Sequence, residues 1–259
     1  MTSLVEGALV FEFSEGWLIE KYDEHAIYRG GVERLKDRLV VEVDGRSHVL
    51  RAGTKAVDFI GLWRGEIHFI EVKDFRGHRI ENKKRLRDGE LAIEVAVKVR
   101  DTIAGLVGGF QRTGAPEWRP FVEALARHGR PHVCLWLEED TLGRAPMELG
   151  HPGLSLEKEL DKQLSWLAPR LLVQNRRQTA RLSGISVRSL PDGIVELRAR
   201  MRRNGWISMA DYCSAFGLSS QATGTHLKEL CARKILVETS APAAAYHAGP
   251  QWLEWLIPP

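Results

Sequence analysis

Two rhythms of apolar and polar positions run along the chain. Short stretches alternate with period two, as half-buried strands do, and longer ones repeat apolar residues every three or four positions, as helices do. ALVFEF (8–13) reads as a short strand, and RLVVEVDG (38–45) as a strand ending in an Asp-Gly turn. WLIEKYDEHAIY (17–28) mixes both spacings and is ambiguous. VDFIGLWRGEIHFIEVKDFRG (57–77) reads as two apolar strands folded over a tight turn. ELAIEVAVKVRDTIAGLVGGF (90–110) predicts a long helix, with Leu91, Val95, Val99, Ile103 and Val107 as its buried stripe. Glu90, Glu94, Lys98 and Asp101 form its polar face, where Glu94 and Lys98 either reach the charges of the 57–77 stretch or pair with each other at i,i+4, the pair being favoured. HVCLWLE (132–138) is a buried strand, and SLEKELDKQLSWLA is an amphipathic helix that starts at Ser155 and stops before Pro169. RLLVQN (170–175) and ISVRSL (185–190) are further strand candidates.

This order of elements predicts an α/β (α+β) domain, a mixed β-sheet flanked by helices. After Pro191 the pattern changes to helices separated by short turns. The boundary is placed near residues 185–191, giving a first domain at 1–188 and a small second one at 189–259.

Composition narrows the class. The chain has 259 residues, 44% hydrophobic and 27% charged, which is ordinary globular material. Cys134, Cys213 and Cys231 form no CxxC pair and no disulfide framework, so a cytoplasmic, reducing setting is expected. Glu6, Glu12 and Glu15 stand near the start, where a signal peptide would carry a basic region and a long apolar run. TIAGLVGGF is about half of the ~20 apolar residues a membrane span needs, so no membrane partner is expected. A net charge of +3 does not point to a polyanion, but RGHRIENKKRLR (76–87) concentrates six Arg or Lys against one Glu.

The 57–77 hairpin carries Asp58, Glu71 and Lys73, charges that apolar strands normally exclude. If Arg64-Gly65 is a two-residue loop, Trp63 pairs with Glu66 and Leu62 with Ile67. Counting back puts Asp58 opposite Glu71, with Cβ atoms about 5 Å apart. Glu71 and Lys73 share a face while Val72 points away. Two carboxylates this close repel each other in an apolar setting. A hard divalent cation removes the conflict: Mg²⁺ takes one or two carboxylates, keeps several waters and accepts phosphate oxygens. Lys73 would orient the attacking water or bind the phosphate.

Asp58, twelve intervening residues, then Glu71-Val72-Lys73 on adjacent apolar strands resembles the PD-(D/E)XK, or restriction-endonuclease-like, nuclease superfamily. The likeness covers roughly residues 15–140, departs at Val57, where the name-giving proline sits, and implies a core of that fold. By position it implies Asp58 and Glu71 as metal ligands, the Val72 backbone carbonyl as a further ligand, and Lys73 as the water-positioning base. Mg²⁺ or Mn²⁺ is the implied cofactor. Many members add an acid from an upstream segment. Glu20, Asp23, Glu24 and Glu33 are candidates, with Asp23 favoured for its Tyr-rich context. In such a fold Arg76, Arg79, Lys83, Lys84, Arg85 and Arg87 lie at the rim of the site, where cations neutralise phosphates without reading sequence.

DYCSAFGLSSQATGTHLKELCARKILVE (211–238) resembles a winged helix-turn-helix. Asp211–Phe216 would be its first helix, Gly217 and Leu218 the turn, and Ser219 the cap of the second helix. Leu227 and Leu230 would pack inward, Cys213 would be core, and ILVETSAPAAAYHAGP would form the wing. The resemblance implies that Ser220, Gln221, Thr223, Thr225 and Lys228 face nucleic acid. Residues 190–259 hold seven Arg or Lys against six Asp or Glu, so the module is nearly neutral and also suits protein docking or dimerisation. The tail QWLEWLIPP is expected to pack back on this module.

These observations favour a Mg²⁺-dependent endonuclease acting on DNA in anti-phage defence, restriction or repair. The alternative is a non-catalytic DNA-binding regulator, or an assembly component, on a degenerate nuclease fold. No GxxxxGK[ST] is present, so an ATPase would be a separate defence or repair subunit. Duplex cutting needs two active sites or two successive events, so a homodimer is a candidate arrangement.

Overall fold

The computed structural model describes residues 1–25, 28–29, 36–43, 46–76, 85–86, 88–127, 129–139, 152–176, 182–239 and 245–252; at 36–43, 46–53 and 152–155 only the backbone is described. The chain divides into two units, Met1–Thr2 with Phe13–Ser186, and Ser3–Glu12 with Val187–Pro259. Ser3–Glu12, counted with the first domain on sequence pattern, therefore belongs with the C-terminal unit.

In chain order the strands are β1 (Thr2–Glu6), β2 (Leu9–Phe13), β3 (Trp17–Lys21), β4 (Lys36–Val43), β5 (Arg46–Gly53), β6 (Phe59–Trp63), β7 (Glu66–Asp74), β8 (His132–Glu138), β9 (Arg170–Gln174) and β10 (Ile185–Ser189). Three further strands, β11 (Ile207–Ser208), β12 (Leu236–Thr239) and β13 (Ala245–Ala248), follow. The helices are α1 (Glu90–Thr113), α2 (Arg119–Ala126), α3 (Pro152–Gln163), α4 (Asp192–Asn204), α5 (Met209–Phe216) and α6 (Ser220–Ala232).

The first unit is a mixed α/β structure. Its main sheet runs β3-β6-β7-β8-β9. The β3–β6 and β6–β7 pairs are antiparallel, and β7–β8 and β8–β9 are parallel. WLIEK at the start of the ambiguous segment is strand, and Tyr22–Glu24 continues it as a single 3₁₀ turn. β4 and β5 form a separate hairpin, whose Asp44-Gly45 turn lies outside the described residues.

Alternation sorts the sheet into two faces. Ile60, Ile67, Phe69, Val133, Leu135 and Leu137 point to one of them and are buried against α1, α2 and α3. Asp58, Glu71 and Lys73 continue that face toward one end of the strands. On α1 the buried residues begin as expected with Leu91, Val95 and Val99, then pass to Thr102 and Leu106, while Ile103 and Val107 are only half-buried. A strict four-residue step advances about 400°, so it drifts about 40° per step off one face at 3.6 residues per turn. The stripe follows the helix rather than the fourfold spacing.

The second unit contains a sheet of β1, β2 and β10 and a separate antiparallel sheet ordered β11-β13-β12. Leu197, Met201, Ile207, Tyr212, Leu227, Leu230, Leu236, Tyr246 and Trp252 form its main core. Ser208 caps α5 in a capping box with Asp211. Gly217 (φ 63°) turns the chain out of α5, and the Ser219 side chain accepts from the Ala222 N–H to start α6. Arg198 is buried, and its guanidinium donates to the Gly7 and Val5 carbonyls at 2.6 and 3.1 Å. Trp252 packs in this core, and the rest of the tail, 253–259, lies outside the described residues. No helix among the described residues is long and apolar enough to cross a membrane.

Candidate active site

The turn sets the geometry of the site. Arg64 and Gly65 both have positive φ, 53° and 78°, as a two-residue hairpin loop with the native strand twist requires. Trp63 pairs with Glu66, Leu62 with Ile67 and Phe59 with Ile70, so the next position sets Asp58 across from Glu71. Asp58 is fixed from both sides. Its carbonyl accepts from the Tyr22 N–H at 3.0 Å, and its Oδ2 accepts from the Val72 N–H at 2.7 Å. The preceding residues are tied to α1: Val57 N–H donates to Thr102 Oγ1 and Lys55 N–H to Asp101 Oδ2, both at 3.0 Å.

Asp58 and Glu71 are buried, at 6% and 1% exposure, and two lysines compensate them. Lys73 Nζ lies 2.8 Å from Glu71 Oε1. Lys98 Nζ lies 2.6 Å from the same oxygen and 3.8 Å from Asp58 Oδ1, so its ammonium stands between the two carboxylates. Glu94 binds Lys73 through Oε1 at 2.8 Å and Arg85 through Oε2. Burial opposes the charge on Lys73, but Glu71 and Glu94 outweigh it and hold the ammonium above the usual lysine range. Burial likewise pushes the Glu94 carboxyl up, while Lys73, Arg85 and Lys98 pull it below the usual carboxylate range.

Glu94 and Lys98 depart from the favoured i,i+4 pairing. Lys98 reaches the buried carboxylates Glu71 and Asp58, and Glu94 reaches the cations Lys73 and Arg85, because each finds opposite charge where water is largely excluded. The signal was available: Glu94 and Lys98 directly precede the buried Val95 and Val99, so both border the packed stripe of α1.

Asp23 sits in the 3₁₀ turn after β3 and lines a cleft of about 530 Å³ with Tyr28, Arg29, Thr54, Lys55, Ala56, Glu94 and Lys98. Register also puts Glu20 on the Asp58 face, since it pairs with Ile60. Glu24 pairs with Lys21 at 2.8 Å, and Glu33 lies outside the described residues. Of the basic run, Arg76 bonds Asp74 through Nε at 2.7 Å and Arg85 reaches Glu94. Arg79, Lys83, Lys84 and Arg87 lie outside the described residues. Ser220, Gln221, Thr225 and Lys228 are exposed on α6. Thr223 is not: it is fully buried with its hydroxyl 3.1 Å from Cys213 Sγ. It shares the inward stripe of Leu227 and Leu230 at helical spacing, so it is a packing residue and not a nucleic-acid contact. Cys213 is half-buried beside it.

The donor set suits a hard divalent cation. Asp58 and Glu71 offer carboxylate oxygens on one face, a cationic group already stands between them, and Glu71 Oε2 is buried with no hydrogen-bond partner among the described residues.

No family model matches the chain, and no solved structure matches it. A curated cysteine–tRNA ligase from Neisseria meningitidis is 27% identical over 132 residues, 47% of this chain and 19% of that protein. The likeness thus covers about a fifth of that relative's length.

Proposed function

We propose that the chain is a Mg²⁺- or Mn²⁺-dependent DNA nuclease of the PD-(D/E)XK type, with a winged helix-turn-helix in its second unit. One observation carries the reading: Asp58 and Glu71 meet beside Lys73, on one face of a hairpin, around a position that already holds positive charge. Asp58 and Glu71 would hold the cation, with the Val72 backbone carbonyl as the further ligand that the resemblance implies. When bound it would lower the pKa of a water and offset charge developing on the phosphoryl group. Lys73, held charged by Glu71 and Glu94, donates hydrogen bonds. It therefore orients a water or a phosphate oxygen and does not itself take the proton. Asp23, Arg29, Lys55 and Lys98 line the adjoining cleft, where the cations can meet a phosphodiester backbone. Exposed Ser220, Gln221, Thr225 and Lys228 give α6 a polar face that suits docking on DNA or on a partner subunit. Restriction, anti-phage defence and repair are the settings this pairing of modules fits, with a separate ATPase subunit or a second copy as partner.

A second reading has its own support. Lys73 and Lys98 already neutralise Glu71, a closed charge cluster that a non-catalytic DNA-binding regulator or assembly component would keep. Plasmid and oligonucleotide DNA incubated with the protein and Mg²⁺ or Mn²⁺ separates the two. The nuclease reading expects cleavage that Asp58→Ala and Lys73→Ala abolish. Binding without cleavage, with or without co-purified partners, favours the regulator.

A further inference from the structure

The opposite face of the same sheet carries a second chemical cluster, at the hairpin end of the strands. Glu66 and His68 stand at i and i+2 on β7, so both side chains leave the same face. His132 on β8 is the register partner of His68, and Arg170 on β9 is the register partner of His132. One ligand atom from each of Glu66, His68 and His132 falls within 4.8 Å of the others.

His68 makes this more than a surface ion pair. It is 3% exposed, and neither Nδ1 nor Nε2 has a hydrogen-bond partner among the described residues. A neutral imidazole always carries one N–H and one lone pair, and burying both unpaired costs free energy. His132 Nδ1 is buried in the same condition, while its Nε2 meets Glu66 Oε2 at 2.9 Å. The Trp17 ring closes one side of His68, edge to face, with centroids 4.8 Å apart. Glu66 opens the other side to solvent, with its side chain 45% exposed.

We propose that Glu66, His68 and His132 form a zinc-binding site. Two imidazole nitrogens and one carboxylate oxygen are the donor set of a borderline divalent ion, and three protein ligands with a solvent-facing fourth position match an open zinc site. Two residues at i and i+2 of one strand and a third from the neighbouring strand converge without any loop rearrangement.

Two adjustments accompany binding. The rings of His68 and His132 stack at 4.2 Å with planes 17° apart, and a zinc ion lies in the plane of each ring it binds. The His132 ring therefore turns about its Cβ–Cγ bond, a soft torsion. Arg170 Nη1 sits 2.8 Å from Glu66 Oε1 and 3.3 Å from His132 Nε2, in the mouth of the site. Its side chain is 52% exposed and has solvent to swing into, so Arg170 and zinc compete for Glu66.

The test is a zinc titration of the full-length chain after stripping with a chelator, with a chromophoric competitor for affinity and Co²⁺ absorption for geometry. The expected result is one equivalent bound with the visible bands of a low-coordinate nitrogen–oxygen site. His132→Ala and Glu66→Gln, both at the wetter end of the cluster, are expected to weaken binding by at least the ~10-fold that loss of a mere outer-shell partner causes. Zinc is expected to raise the thermal midpoint of the wild type and of Asp58→Ala, but not of His132→Ala. Failure of the wild type to bind zinc overturns the proposal, as does undiminished binding by His132→Ala. Loss of binding in Asp58→Ala assigns the ion to the other face and overturns it too. Since Asp58 belongs to the nuclease reading alone, the two can fail separately.

Discussion

Replacing Lys98 by Met tests how the buried carboxylates are held. The substitution keeps the aliphatic stem and removes the ammonium that stands 2.6 Å from Glu71 Oε1 and 3.8 Å from Asp58 Oδ1. Stripping a buried ion pair of one partner costs about 3–5 kcal/mol when the remaining charge is left bare. Glu71 is not left bare, because Lys73 stays 2.8 Å away on the same oxygen. The loss is then nearer that of one hydrogen bond to a charged group, about 1.5–3 kcal/mol. That penalty applies to the metal-free protein. Where Mg²⁺ replaces the missing charge, stability returns, by about 2.7 kcal/mol at a concentration of 100 times its Kd. Urea unfolding of both proteins, in EDTA and in millimolar Mg²⁺, reads both quantities. The expected result is a Lys98→Met deficit in EDTA that Mg²⁺ narrows, with a larger Mg²⁺ stabilisation in the variant than in the wild type. Equal stability in EDTA would show that Lys98 does not compensate Glu71. A deficit that Mg²⁺ leaves unchanged would refute the idea that ammonium and cation serve the same position.

Three further outcomes probe the frame around the site. Gly61→Ala puts a Cβ 2.7 Å from Ile19 Cδ1 and 2.8 Å from the Trp17 ring, and overpacking of this kind costs about 1–3 kcal/mol; an unchanged urea midpoint would contradict the β3–β6 contact. Ser208→Ala removes the capping box of α5 and is expected to cost about 1 kcal/mol, read as a lower thermal midpoint of the second unit. Burial pushes the Cys134 thiol up to about 12, so a disulfide reagent should react with Cys213 and Cys231 in the native protein and with Cys134 only after unfolding; rapid modification of Cys134 would contradict a buried β8.

The hairpin was legible because three independent signals agreed in one short stretch. An apolar run fixed two strands, Arg64-Gly65 supplied the turn, and period-two alternation then ordered every side chain. α1 was legible for the same reason of periodicity. For Glu94 and Lys98 the nearness to the packed stripe was legible from Val95 and Val99, but the partners were not: Lys73 lies 21 residues from Glu94 and Glu71 lies 27 from Lys98, and the pairing depends on how α1 packs on the sheet. The strict fourfold stripe also misplaced the end of the α1 core, for want of the 3.6-residue turn. Thr223 was misread because a polar residue on a helix resembles a contact until Leu227 and Leu230 show which way the stripe faces. The pairing of His68 with His132 was hidden by a parallel register across 64 residues, which no local pattern encodes. Placement of Ser3–Glu12 with the C-terminal unit was hidden likewise, since a strand's partner is a long-range fact.

The most direct test follows Mn²⁺ binding and DNA cleavage in the same samples. Mn²⁺ is titrated into wild type and Asp58→Ala, both carrying His132→Ala to remove the second cluster, with bound ion read by electron paramagnetic resonance and product by gel. Occupancy and cleavage are expected to rise together in the parent and both to be lost in Asp58→Ala. Equal Mn²⁺ occupancy with and without Asp58, or cleavage that persists without it, would contradict the nuclease reading.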